Sequence, residues 1–209
     1  MTTRARLDSL EIRNYLGAGD EPVTLEFNGK HAVLCGPNGS GKTTVLSALD
    51  RVRRIKWISV LQSYSIGREP SEVSVWEWVD GRPQVTAQLF HSGSQTFRVS
   101  AGFILPTGLE ERRRIQPLLD PVKELAAEKA ESTVPSQDSL HMSFTMVARA
   151  DEKAQLESIS IEEQDLFRIA RATSVFSLLP SQPQGEQTHI ATRCHTTTRA
   201  WHSNHLIRF

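Results

Sequence analysis

Ala32-Val33-Leu34-Cys35-Gly36-Pro37-Asn38-Gly39-Ser40-Gly41-Lys42-Thr43-Thr44 changes character twice within a few residues. The run Ala32–Cys35 is continuously apolar, the pattern of a strand covered on both faces. Glycines at 36, 39 and 41 follow, and they let backbone N–H groups turn inward without Cβ clashes. Beyond Lys42 the period switches. Val45, Ala48, Leu49, Val52 and Ile55 recur at three- and four-residue spacing, which predicts a helix from about Gly41 to Lys56. Arg51, Arg53, Arg54 and Lys56 crowd its last turns, where cations suit the helix dipole.

Gly36, Pro37, Asn38, Gly39, Ser40, Gly41, Lys42, Thr43 and Thr44 together satisfy G-x-x-x-x-G-K-[ST], the phosphate-binding loop. Context agrees with the motif, because a strand delivers the chain and an amphipathic helix leaves it. Inward amides and the positive helix N-terminus are expected to form a nest for a β-phosphate. Lys42 is expected to reach the β- and γ-phosphates, and the Thr43 hydroxyl to ligate Mg²⁺. ATP and Mg²⁺ are the ligands this chemistry suits.

Upstream, Leu7, Leu10, Ile12 and Tyr15 lie among polar positions, as in a half-buried strand. Val23, Leu25 and Phe27 alternate with Thr24 and Glu26, the strand period of two. Asn28-Gly29 then supplies a tight turn. Downstream, Val73–Val79, Val85–Phe90 and Thr96–Ile104 read as antiparallel strands separated by Asp80-Gly81-Arg82-Pro83 and Ser92-Gly93-Ser94. Asp120-Pro121 fits a helix start, and Glu128–Ser139 a loop. Leu140–Ala148 and Ala154–Ile161 suit a hairpin across Asp151-Glu152-Lys153, with Glu162–Ala172 helical.

Leu10-Glu11-Ile12-Arg13-Asn14-Tyr15, Val23–Phe27 and Gly36–Thr43 together resemble the N-terminal lobe of ABC-type ATPases. More narrowly, they resemble the RecF, SMC, Rad50 and OLD-type branch, which pairs an I-x-N-[FY] strand with a GPNGSGK[ST] loop. The likeness covers residues 7–56 well and 73–105 loosely. It implies an α/β P-loop NTPase lobe, with a mixed sheet and an antiparallel β arm, spanning residues 1–172. It also implies ATP-driven head-to-head pairing of protomers, each site completed by a partner's signature motif, and action on DNA. A basic residue often follows the aromatic of the first strand in that family, whereas Leu16 stands here.

Hydrolysis in that family needs an LSGG-type signature, an apolar strand ending Asp-Glu, and a switch histidine. No LSGG-like string occurs. Asp151-Glu152, Asp80 and the run Val175–Leu179 are poor matches to the acidic strand, and Gln62 and Gln88 have no distinctive context as a coupling glutamine. Hydrolysis by this chain alone is therefore not expected, and no catalytic residue is assigned. A transporter nucleotide-binding subunit would normally show an apolar-Pro-Gln loop, absent from residues 82–92. A small P-loop kinase would need an Arg-rich lid, for which Arg112–Arg114 is the candidate, and a non-catalytic regulatory partner would show no turnover.

Residues 173–209 differ in composition, with a single acidic residue, Glu186, and four of the chain's seven histidines. This segment is expected to be disordered or an out-of-frame continuation. Cys194, His195, His202 and His205 have zinc-ligand chemistry, but adjacent Cys194-His195 is not a usual ligand spacing. Over all 209 residues, 24 Lys plus Arg balance 24 Asp plus Glu, which excludes a net-charge argument for nucleic-acid binding. Two cysteines are too few for a disulfide framework, and no apolar run approaches the roughly 20 residues that span a bilayer. A cytoplasmic chain is the expectation. Trp57, Trp76 and Trp78 are expected in the core rather than as base-stacking platforms.

Overall fold

The computed structural model describes residues 6–73, 87–106, 120, 139–150, 154–173, 175–178 and 205–207. In chain order these form β1 (Arg6–Arg13), β2 (Val23–Glu26), β3 (Ala32–Leu34), α1 (Lys42–Arg53), α2 (Trp57–Ser65), β4 (Thr96–Pro106), β5 (Ser139–Arg149), β6 (Gln155–Ile161), β7 (Gln164–Asp165), α3 (Leu166–Ala172), α4 (Val175–Leu178) and β8 (His205–Ile207). One sheet has the order β2-β1-β4-β5-β6-β7, and β3 pairs separately with β8. Every described ladder is antiparallel. The fold is α/β, with helices packed on one face of an antiparallel sheet.

Alternation builds that sheet. In β5, Leu140, Met142, Phe144, Met146 and Ala148 are buried while their neighbours are exposed or half-buried. Register sets them opposite Leu105, Phe103, Ala101, Val99 and Phe97 of β4, so two strands offer one apolar face. The pairing of large with small residues, Phe144 against Ala101, keeps the layer level, and Phe103 stacks on Phe144 at 5.5 Å between centroids. Leu10 and Ile12 of β1 and Leu156, Ile159 and Ile161 of β6 extend the face sideways. The opposite face is polar, with Ser100 bonded to Thr145 at 3.0 Å and Arg98 to Glu157 at 2.7 Å.

Val45, Ala48 and Val52 of α1, Val60 and Leu61 of α2, and Ile169 of α3 cover the apolar face in one continuous core. Trp57 belongs to it at 5% exposure, as expected. Its helix α2 was not expected, although Trp57, Val60, Leu61 and Tyr64 carry helical spacing. α3 begins at Leu166 rather than Glu162, because Glu162 and Glu163 adopt φ of 48° and 64° and turn β6 into β7. Asp165 then caps α3 by accepting from the Phe167 N–H at 2.8 Å.

Two further expectations change. Of the stretch Val85–Phe90, the described residues 87–90 do not extend as a strand: Ala87–Leu89 form a 3-10 turn and Phe90 makes only an isolated bridge to Tyr15. Val73 ends another 3-10 turn, and 74–86 lie outside the described residues. The run Ala32–Cys35 is not buried on both faces, since Val33 is 50% exposed and Ala32 and Leu34 half-buried. Among the described residues β3 has only the three-residue β8 beside it, which is too little to cover two faces. The Asp151-Glu152-Lys153 turn and most of 107–138 also lie outside the described residues. Within 173–209, α4 and β8 are the described elements.

Candidate functional site

β3 hands the chain to residues 35–40, all exposed, and α1 begins at Lys42. Gly36 has φ of 152°, and a Cβ there would stand 2.6 Å from Ser40 Oγ, inside contact distance. Gly41 has φ of 85° at the helix N-cap. Left-handed backbone of this kind strains any residue with a Cβ. Ser40 N–H donates to Pro37 O at 3.3 Å, which closes the loop into a turn.

The N-terminus of α1 has no side-chain cap and no acidic residue in its first turn. Its leading N–H groups and the positive end of its dipole are therefore left for an anion. Lys42 bridges the loop: its Nζ donates to Gly36 O at 2.8 Å, Pro37 O at 2.7 Å and Ser40 Oγ at 3.3 Å. That places an ammonium at the mouth of the nest. The two threonines after it divide. Thr43 is exposed, whereas Thr44 is buried and its Oγ1 accepts from the Gly17 N–H at 3.3 Å.

Asn38 through Leu46 form one side of a cavity of about 730 Å³. The other side is made by Ile12, Gly17, Ala18 and Val23. One wall thus offers backbone N–H groups, hydroxyls and an ammonium, and the other is apolar. Leu16 does not line the cavity: with φ of 50° it turns onto the core, and Gly17 and Ala18 stand in its place.

The wall loop is held at many points. Asn14 N–H donates to Gly19 O at 2.8 Å, Leu16 N–H to Leu89 O at 2.8 Å, and His91 Nδ1 lies 3.0 Å from Leu16 O. Tyr15, fully buried, shares a 2.7 Å hydrogen bond with Ser47 of α1. The Arg13 guanidinium bonds to Asp20 at 2.8 Å, and that bond, with its charge and an added contact from Asn14, holds the Asp20 carboxyl below its ordinary range.

Residues 36–44 are brought together between β3 and α1, and 38–44 of them line the cavity. The other candidates are not. Gln88 sits exposed in a 3-10 turn and Gln62 on α2, and neither lines the cavity. Val175–Leu178 is a helix, which removes it as an acidic strand. Asp80, Asp151, Glu152 and Arg112–Arg114 lie outside the described residues, as do Cys194, His195 and His202. Among the described residues no cluster of His, Cys, Asp and Glu has metal-site geometry. Arg53 and Arg54 both pair with Asp50, at 3.1 and 2.8 Å, so the basic helix end is partly neutralised. Burial lowers the Lys56 ammonium from its usual range.

Residues 9–52 match the AAA domain family. The match runs from within β1 through the loop and nearly all of α1. Similar solved structures are SMC heads. One was described for ATP-driven dimerization and DNA-stimulated activation of SMC ATPases, with 15% identity, a TM-score of 0.35, and 84% of this chain and 81% of that chain covered. Another is the Pyrococcus furiosus Smc head domain with an extended coiled coil, bound to the C-terminal domain of ScpA, with 13% identity and a TM-score of 0.38. That alignment covers 82% of this chain, which spans 33% of that one. No curated protein sequence matches. No described helix is long and apolar enough to cross a membrane.

Proposed function

We propose that this chain is the ATP-binding lobe of an ATPase of the RecF, SMC and Rad50 kind, and that it binds Mg-ATP in the cavity above Lys42. The observation that carries the reading is the junction itself: a loop with glycines at positive φ, an uncapped helix N-terminus and a lysine ammonium within 2.8 Å of two loop carbonyls, facing an apolar wall. The residues fit the ligand. The first-turn amides of α1 and the Lys42 ammonium bind the phosphates, Gly17, Ala18 and Val23 exclude water from the base, and the exposed Thr43 hydroxyl is available to Mg²⁺. Bound ATP supplies the phosphoanhydride, and Mg²⁺ neutralises its charge. Binding rather than turnover is the activity assigned, because no described residue supplies the acidic pair that would orient water. By resemblance, nucleotide binding serves to pair two such lobes head to head in the handling of DNA.

Titration calorimetry with Mg-ATP tests the reading on the parent and on Lys42→Ala. Removing the ammonium that neutralises the phosphates is expected to weaken binding at least about tenfold. Equal affinity in the two proteins overturns the assignment.

A further inference from the structure

The two walls of the cavity belong to different elements, and one side-chain pair ties them directly. Tyr15 stands two residues beyond the end of β1, and Gly17 and Ala18, which follow Leu16, are the base-side wall. Ser47 sits on α1, about one turn beyond Lys42 and Thr43. Their hydroxyls meet at 2.7 Å. The phenol is wholly buried, its ring edge-on to Phe97 at 4.9 Å between centroids, so its hydroxyl is shut off from bulk water and needs an internal partner. A second tie runs parallel to the first, from Gly17 N–H to Thr44 Oγ1 at 3.3 Å. It leaves little slack, because a Cβ on Gly17 would come within 3.1 Å of the same oxygen. On its outer side the wall loop is anchored by Leu89 and His91.

We propose that Tyr15 and Ser47 are a positioning pair that presets the distance between the phosphate nest and the base wall, so that triphosphate and base are recognised as one rigid unit. The proposal rests on the ATP-binding reading above and adds residues that touch no phosphate. Its physical content is preorganisation: a wall already in place costs nothing to order when the nucleotide arrives. The pair is therefore worth affinity only for a ligand that reaches both walls. A tripolyphosphate, which lacks the base, spans the nest alone.

The experiment measures dissociation constants for Mg-ATP and for magnesium tripolyphosphate on the parent, Tyr15→Phe, Ser47→Ala, Ser47→Thr and the Tyr15→Phe/Ser47→Ala double variant. Thermal melting accompanies each. One hydrogen bond's worth of ordering corresponds to about three- to tenfold in affinity, and that weakening is expected for Mg-ATP with either single variant. The double variant is expected to be no weaker than the weaker single, since both remove the same contact. Ser47→Thr keeps the hydroxyl and restores ATP binding, and tripolyphosphate affinity stays within about twofold throughout. Ser47→Ala also lowers the melting temperature, because it strands the buried phenol hydroxyl, whereas Tyr15→Phe leaves only a half-buried serine that water can reach. Unchanged ATP affinity in Tyr15→Phe, additive losses in the double variant, or an equal fall for tripolyphosphate each overturn the positioning role. If the parent itself does not bind Mg-ATP, it is the underlying assignment that fails.

Discussion

The face shared by β4 and β5 and the junction from β3 into α1 are specified in opposite ways. Along β5 every second side chain is buried, and identity is enforced by what each one touches. From residue 35 to residue 40 nothing is buried, and what is enforced is backbone: positive φ at Gly36 and Gly39, and again at the N-cap Gly41. Stability is therefore expected to concentrate in the sheet, and the ligand chemistry proposed above in the loop. Damage to the two should separate cleanly.

The largest stability effect is expected at Phe144, which is 3% exposed and stacked on Phe103. Phe144→Ala removes an aromatic from a layer whose neighbours cannot collapse around it, and should cost about 3–5 kcal/mol in denaturant unfolding. A cost below about 1 kcal/mol would break the claim that the β4–β5 face is the centre of the core. Gly36→Ala should do the reverse. Its strain falls on an exposed loop, so a stability loss of only about 1–2 kcal/mol is expected, with Mg-ATP affinity reduced at least about tenfold because the nest is bent out of shape. Retained affinity in Gly36→Ala would show that the loop tolerates a Cβ and that its backbone is less constrained than the 2.6 Å approach to Ser40 implies.

The same division explains what could be read in the sequence. β1, β2, α1 and the β5–β6 hairpin were legible because their apolar residues recur at the period of the element. The loop was legible because a few residue types, glycine and lysine above all, do its work. The opposite wall was not, because Gly17, Ala18 and Val23 carry no distinctive chemistry. The placement of Gly17 and Ala18 depends on Tyr15 pairing with Phe90 and on Leu16 bonding to Leu89, contacts from a distant part of the chain. Two glutamates at positive φ, Glu162 and Glu163, moved the start of α3, and no residue preference announces such a turn. α2 carries helical spacing, but it begins only a few residues after α1 ends, so its pattern runs on from that of α1.

β3, the strand that opens the junction, gives the finest test of the contrast. Four apolar residues predict a strand covered on both faces, yet Val33 is half exposed while Val99 of β4 is fully buried. Threonine matches valine in shape and differs by a hydroxyl, so the substitution reports burial more than packing. Val99→Thr places that hydroxyl in the core and should cost about 1–3 kcal/mol. Val33→Thr places it against water and should stay within about 0.5 kcal/mol of the parent. Chemical denaturation of both variants, side by side, measures the difference directly. Equal costs would mean that Val33 is covered in solution, that β3 belongs with the sheet rather than with the loop, and that the junction is held by side-chain packing after all. Unequal costs would leave the phosphate loop resting on a strand whose apolar sequence is not matched by burial, with backbone geometry and the ties through Tyr15 and Thr44 holding it in place.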